Sequence, residues 1–455
     1  MTIYALSSGP GISGVAIIRI SGSDASKAIK LLTGKVPPSP RLASLRKINN
    51  IDTSELIDEG LIIWFPGPQS YTGEDMAEIH VHGGKAIVMA LQSELSKIEN
   101  FRLAEPGEFT KIAFQNGKIN LLKAEGIADL ISAETEIQRL QAVKIMEGKS
   151  AEKFDDLREK LLKILSFVEA KIDFPEEDLP DENIKQIKKD TTEVLNKIKK
   201  ILDDQKVGEI IREGFKIAIV GPTNAGKSSL LNNLSNRDVA IVSEIAGTTR
   251  DVIETHLNID GYPVIISDTA GIRSSKDEIE KKGIKLSLDR AEKADLKLVV
   301  VDAKSIDFSG FLNDLLKDNA ILVINKSDLI NGELDPEVNK LDHVLISLKE
   351  NINLEKLILM IKKKLKTKFI INNDILITRE RHRQHLVHCL DNLKNFGVDG
   401  VKNLKGVGKN LQDHLMFRPV YKVKNLESLN KKINSLFGNF LIGLEYLLQQ
   451  SGPMT

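Results

Sequence analysis

A short apolar run, Lys216-Ile217-Ala218-Ile219-Val220, passes straight into Gly221-Pro222-Thr223-Asn224-Ala225-Gly226-Lys227-Ser228, a G-x-x-x-x-G-K-[ST] pattern. That succession demands a strand, a tight loop and a helix, because loop N–H groups and a helix N-terminus must converge on phosphate. Strand-like runs recur at Val264-Ile265-Ile266, Leu298-Val299-Val300-Val301 and Ile321-Leu322-Val323-Ile324. Helical stretches separate several of them, as in a parallel sheet covered on both faces. The middle of the chain therefore reads as an α/β P-loop domain, residues 212–372.

The residues around this loop point to guanine nucleotide. Asn224, Ala225, Gly226, Lys227, Ser228 and Ser229 form the phosphate cradle, with Lys227 reaching the β/γ-phosphates and the Ser228 hydroxyl meeting Mg²⁺. Asp268-Thr269-Ala270-Gly271 follows an apolar run, so Asp268 can reach Mg²⁺ and the Gly271 N–H can face a γ-phosphate. Between the two lies Gly247-Thr248-Thr249-Arg250-Asp251, whose Thr248 and Thr249 suit a loop closing on nucleotide, with the Thr249 hydroxyl on Mg²⁺. Asn325-Lys326-Ser327-Asp328 supplies base contacts: a carboxylate at Asp328 accepts from the N1–H and N2–H₂ edge of guanine, which adenine lacks. The residue after Gly271 is Ile272, which cannot orient an attacking water as a Gln there would. That task falls to a later residue among Asp277, Glu278 and Glu280.

The remainder of the chain organises around this unit. At 455 residues it is too long for one core. Residues 1–118 mix strand-like Val15–Ile20 and Leu61–Phe65 with Gly/Pro turns, an α+β pattern, and Val36-Pro37-Pro38-Ser39-Pro40 must be irregular. From 119 to 211 the pattern is helical: Leu161, Leu162, Ile164, Leu165, Val168 and Ile172 are spaced as one apolar face. Residues 173–180 carry two prolines and break it; a Lys-rich amphipathic run follows, read as a solvated face. Lys+Arg and Asp+Glu both total 64, so bulk charge gives no argument for nucleic acid. The lone Cys389 fits a reducing compartment, and neither an export leader nor an apolar run of about 18 residues is evident, so a cytoplasmic location is expected.

Taken together, these motifs resemble the MnmE (TrmE) family of tRNA uridine-modification GTPases. The resemblance extends to Gly14–Gly22, Tyr71-Thr72-Gly73-Glu74-Asp75, Glu78-Ile79-His80-Val81-His82-Gly83-Gly84, Ala104–Thr110 and Asn116-Gly117-Lys118. It implies a folate-binding-like α+β N-terminal domain, a discontinuous helical domain and an inserted GTPase domain. It implies a homodimer through the N-terminal domain, binding a tetrahydrofolate derivative with Arg19, Glu78 and Lys118. K⁺ would be held partly by Asn224, and Glu280 would orient the attacking water, acting with Lys227 and Gly271 in catalysis. An FAD flavoprotein of the MnmG type would join a heterotetramer acting on C5 of the tRNA wobble uridine, with no membrane involved. Ile112 and Asn120 stand where the family usually shows Arg and Asp.

His80 and His82 share a strand face, but without a third ligand they read as structural rather than metal-binding. Ile375–His382 is the expected helix of return, with the helical domain resuming over 373–397. Residues 398–455, including Gly406-Val407-Gly408-Lys409-Asn410-Leu411-Gln412-Asp413-His414-Leu415, are similar to an internal piece of a glucose–methanol–choline oxidoreductase. The segment lacks a G-x-G-x-x-G loop and is not expected to bind FAD. A rival reading is a conformational-switch or ribosome-assembly GTPase that modifies no RNA.

Overall fold

A computed structural model describes residues 1–173, 181–222, 224–235, 254–268, 291–304, 315–316, 319–329, 338–369 and 377–394. The N-terminal domain is built on β1 (Thr2–Leu6), β2 (Ser13–Ser21), β3 (Ser44–Asn49), β4 (Leu56–Phe65), β5 (Met76–Gly83) and β6 (Phe101–Leu103), in the order β3-β4-β5-β2-β1-β6. All neighbours are antiparallel except β1 and β6. Helices α1 (Ala25–Thr33) and α2 (Lys85–Ser96) pack on one face, where Ile18, Ile20, Ile62, Ile79 and Leu91 are fully buried. Alternation along β5 sends Ile79 and Val81 inward and Glu78, His80 and His82 to the other face. The Pro-rich connection 36–40 carries neither helix nor strand, as its sequence requires.

After α3 (Glu108–Gln115) the chain is helical: α4 (Leu121–Ile131), α5 (Glu136–Met146), α6 (Lys149–Asp173), α7 (Asp181–Leu202) and α8 (Val207–Glu213). The elbow between α4 and α5 is set by a capping box, in which Thr135 and Gln138 satisfy each other's backbone N–H. The apolar spacing on α6 does not bury as one face. Leu157 and Ile164 enter the core, whereas Leu162 and Leu165 are exposed. Several lysines beside this pair of helices answer acids: Lys197 meets Asp156 at 2.8 Å and Lys160 meets Glu193.

The second sheet runs β12-β11-β10-β7-β9-β8, with β7 (Phe215–Val220), β8 (Glu254–Ile259), β9 (Tyr262–Asp268), β10 (Leu296–Asp302), β11 (Ala320–Asn325) and β12 (His343–Leu345). Only the β8–β9 hairpin is antiparallel. Both faces are buried. Ile217 and Ile219 point to the side covered by α9 (Lys227–Ser235) and α10 (Leu354–Phe369), while Ala218 and Val220 join a second cluster opposite. Such double burial explains why these strands read as unbroken apolar runs.

The chain then returns to the helical body through α11 (Glu380–Leu393), where Leu386 and Leu390 pack with Leu157, Val194 and Ile198. The expected helix over 375–382 needs correction. Ile377 and Thr378 are buried and not helical, and the helix starts at Glu380. Two β-branched residues gain more from filling the joint than from helical geometry.

Candidate nucleotide site and N-terminal cluster

The loop after β7 lies where the parallel strands end, at the C-terminal edge of the sheet. A Cβ on Gly221 would overlap the Val300 carbonyl of β10, so only glycine lets the loop leave the sheet here. Asn224 takes a left-handed conformation, φ 61°, which asparagine tolerates, and exposes its side chain. Ala225 is buried and anchors the loop, while Ser228 and Ser229 are exposed in the first turn of α9. The Lys227 ammonium donates to the carbonyls of Gly221 (2.8 Å) and Pro222 (2.7 Å). Reaching a phosphate requires exchanging those two bonds for phosphate oxygens.

Asn325 ties the loop after β11 to the glycine-rich loop. Its side chain is almost fully buried, donates to the Ala225 carbonyl at 2.9 Å and accepts from the Leu348 N–H at 3.3 Å. A side chain on Gly226 would collide with that same amide, so Gly226 and Asn325 are a matched pair. Lys326 is also left-handed, φ 64°, and its ammonium reaches Asp302 at 2.6 Å. The bond to Lys326 holds the Asp302 carboxyl below its usual range. Asp328 lies exposed in a 3₁₀ turn, Ser327–Leu329. Asp268 ends β9 in register with Ile219, which brings that strand end beside the phosphate loop. Thr248, Thr249, Gly271, Ile272, Glu280 and the neighbouring Asp277 and Glu278 lie outside the described residues.

Two elements of this site escaped the sequence reading. Asp302, at the end of the apolar β10, is visible in the sequence only as an acid closing a strand. Leu348 contributes its backbone and so carries no side-chain signal; the short β12 followed by Ser347-Leu348-Lys349 was the available cue.

The N-terminal residues assemble through strand register. Arg19 of β2 stands directly opposite Glu78 of β5 and donates to it from Nε at 3.1 Å and Nη2 at 2.8 Å. The guanidinium also lies 5.5 Å from the Tyr71 ring centre and 5.8 Å from that of Phe109. Tyr71 in turn bonds Thr110 at 2.9 Å. Lys118 packs its alkyl chain against Gly73, beside Asn116, which bonds the Thr72 carbonyl. The structure thus joins Arg19 and Glu78 directly and places Lys118 against Gly73 of the 71–74 loop. Each imidazole has its own acid: His82 bonds Asp58 at 2.8 Å and His80 stands 3.5 Å from Glu78. Among the described residues no helix is long and apolar enough to cross a membrane.

Comparison with known proteins follows the same division. A family model described as GTP-binding protein TrmE N-terminus matches residues 2–118, and one described as MnmE helical domain matches 121–439. The tRNA modification GTPase MnmE of Pelagibacter ubique is 68% identical over 444 residues, 97% of this chain and all of the relative. That of Rickettsia bellii is 43% identical over 97% of this chain and 99% of its own length. Among solved structures, Aquifex aeolicus Era bound to GDP and AlF₄⁻ is 31% identical over 33% of this chain and 56% of that one, with a TM-score of 0.26, too low to bear on the fold. The helical-domain match spans position 398, where the sequence reading sets a change in character. The helical-domain match continues to 439, so the family likeness does not stop there. Residues 395–455 lie outside the described structure.

Proposed function

The chain belongs to the MnmE family of tRNA modification GTPases, and we propose that its hydrolysis of GTP drives the addition of an aminomethyl or carboxymethylaminomethyl group to C5 of the tRNA wobble uridine, performed with an FAD flavoprotein of the MnmG type. The observation that carries this reading is the pairing, within one chain, of a nucleotide cradle locked by Asn325 with a separate N-terminal cluster of Arg19, Glu78, Tyr71 and Phe109. A simple switch GTPase has no use for the second.

In the G unit, Lys227 exchanges its two carbonyl bonds for the β/γ-phosphates, and Ser228 and Asp268 are the residues that would hold Mg²⁺, which neutralises charge on the transferring phosphoryl group. Their hard oxygen donors suit that ion. Asn224, exposed at the loop's turn, would contribute to a K⁺ site, and Asp328 would select guanine. Thr248, Thr249 and Gly271 would close on the γ-phosphate, with Glu280 orienting water in place of the side chain that Ile272 lacks.

In the N-terminal domain, Arg19 is already engaged by Glu78, so it is the cluster that would meet a tetrahydrofolate derivative. Tyr71 and Phe109 offer flat apolar faces, Glu78 an acceptor for ring N–H groups, and Lys118 a cation. The exposed apolar residues on the same sheet face, Val15, Leu45 and Leu61, support a homodimer through this domain. With the flavoprotein it would form a heterotetramer.

The test mixes the purified chain with the flavoprotein, tRNA, folate donor, GTP and K⁺, and reads the wobble uridine by mass spectrometry. Modified uridine is expected, with GTP hydrolysis falling when Na⁺ replaces K⁺. Potassium-dependent hydrolysis with unmodified uridine would reduce the protein to a switch.

A further inference from the structure

One polar atom on the N-terminal sheet has no answer within it. His80 of β5 stands on the outward face between Glu78 and His82. Its imidazole is 23% exposed, yet Nε2 is closed off from solvent and makes no hydrogen bond among the described residues. A buried nitrogen left unmet lowers stability, and folded proteins keep few of them unless a site has a use for them.

The strands beside it supply no partner. Ile17 of β2 and Leu61 of β4 lie directly across from His80, and both are apolar. His82 is turned to Asp58. Glu78 Oε2 stands 3.5 Å away, but not in line for a hydrogen bond. Both bonds from Arg19 fall on the other oxygen, Oε1. Oε2 of Glu78 and Nε2 of His80 therefore stand side by side on one face, each without a hydrogen bond among the described residues. An imidazole nitrogen facing a carboxylate keeps its proton there, so the pair offers an acceptor and a donor 3.5 Å apart. A histidine ring turns easily about its last side-chain bond, and a small turn brings Nε2 out beside Oε2.

The converse of that pair is a lactam edge, a ring N–H next to a ring carbonyl. A folate carries this edge on its reduced pteridine, and Tyr71 and Phe109 offer flat faces close by, on either side of Arg19. Resting on the folate reading above, we propose that His80 is a further ligand-contacting residue of the Arg19–Glu78 site. It donates from Nε2 to the pteridine carbonyl while Glu78 accepts from the neighbouring N–H.

The full-length protein is titrated with tetrahydrofolate under anaerobic conditions, by calorimetry, as wild type, His80→Leu, His80→Gln and Arg19→Ala. His80→Leu matches its apolar neighbours and removes the unmet nitrogen. Its melting temperature should hold or rise while its affinity falls about ten-fold, a combination that a merely structural histidine would not produce. His80→Gln keeps an N–H donor and should stay within about three-fold of wild type. In protein carrying ¹⁵N-histidine, the His80 Nε2 resonance, identified by its loss in His80→Gln, should shift on saturation with tetrahydrofolate. Tight binding by His80→Leu beside weak binding by Arg19→Ala would overturn the proposal and leave the folate site standing. Weaker binding with an unmoved resonance would overturn it too, because His80 would then act only through Glu78. No binding by wild type, or equal binding by Arg19→Ala, would remove the folate reading and this inference with it. Should His80→Leu not fold, the resonance decides: a shift supports the contact, and none refutes it.

Discussion

The two sheets of this protein solve different problems. The inserted one is mostly parallel, buried on both faces, and presents its site along one edge, built from loop backbone and a few side chains of short motifs at successive strand ends. The N-terminal one is mostly antiparallel, buried on one face, and gathers its candidate site from β2 and β5 by register, with the loop at 71 and the first turn of α3 brought against them. The first tolerates almost no change at its edge, because glycines and buried amides are matched atom for atom. The second is a surface of side chains, each replaceable at modest cost to the fold.

The comparison is sharpest at Lys227. Lys227→Ala should leave the fold intact yet lower kcat/KM for GTP by on the order of 10²–10³, the usual loss when a charge aimed at the transition state is removed. Steady-state hydrolysis beside a thermal melt checks both halves. At Asn325 fold and site coincide: Asn325→Ala removes bonds to Ala225 and Leu348 and leaves a buried carbonyl unmet, so a loss of about 1–3 kcal/mol and weaker GTP binding should appear together. A variant that lost only one of the two would show the lock is not shared.

Between the sheets, the joint at α11 predicts a pH effect. Burial, with Arg381 and Arg379 adding to it, pushes the His382 imidazole down to about 4. The unfolded chain binds a proton near pH 6.5, and the folded one does not until about 4. Stability from this residue is therefore complete above about pH 6.5 and is lost as pH falls through 4. His382→Gln should flatten that decline, worth on the order of 1–3 kcal/mol, in denaturant titrations across this range. The smallest effect belongs to the N-terminal cluster. Glu78→Gln should cost the fold about 1 kcal/mol or less, because the Arg19 side chain it leaves is 28% exposed, while weakening folate binding measured by titration calorimetry. A large loss of stability there would erase the contrast between the two sheets.

The same contrast explains what could be read from the chain. The strands of the inserted sheet are legible because double burial writes them as apolar runs, and its site because loop chemistry is local in sequence. Asn325 was legible as part of a motif, but its bond to Ala225, a hundred residues away, depends on strand order. Asp302 and the Leu348 N–H were missed for that reason. Arg19 and Glu78 could be named only through family likeness, since nothing short-range signals that β2 and β5 pair in the register that joins them. The helix limit near 375 failed because burial of Ile377 and Thr378 overrode local propensity, and the apolar spacing on α6 is only partly buried because Leu162 and Leu165 line an open cavity beside Leu157 and Leu161.

Where the chain passes into and out of the G unit, both strands of traffic end on one atom. Arg212, just before β7, and Arg379, just before α11, each reach Oδ1 of Asp129, at 3.1 and 2.8 Å. Gln141 holds the Gly208 carbonyl and Gln138 the Arg212 carbonyl on the same elbow. The two ends of the G unit thus meet the helical body at one carboxylate, and His256 of β8 adds a second tie to Glu134 at 3.0 Å. A body whose two cut ends already meet could carry that cassette, exchange it for another, or close over its loss, without either end having to travel.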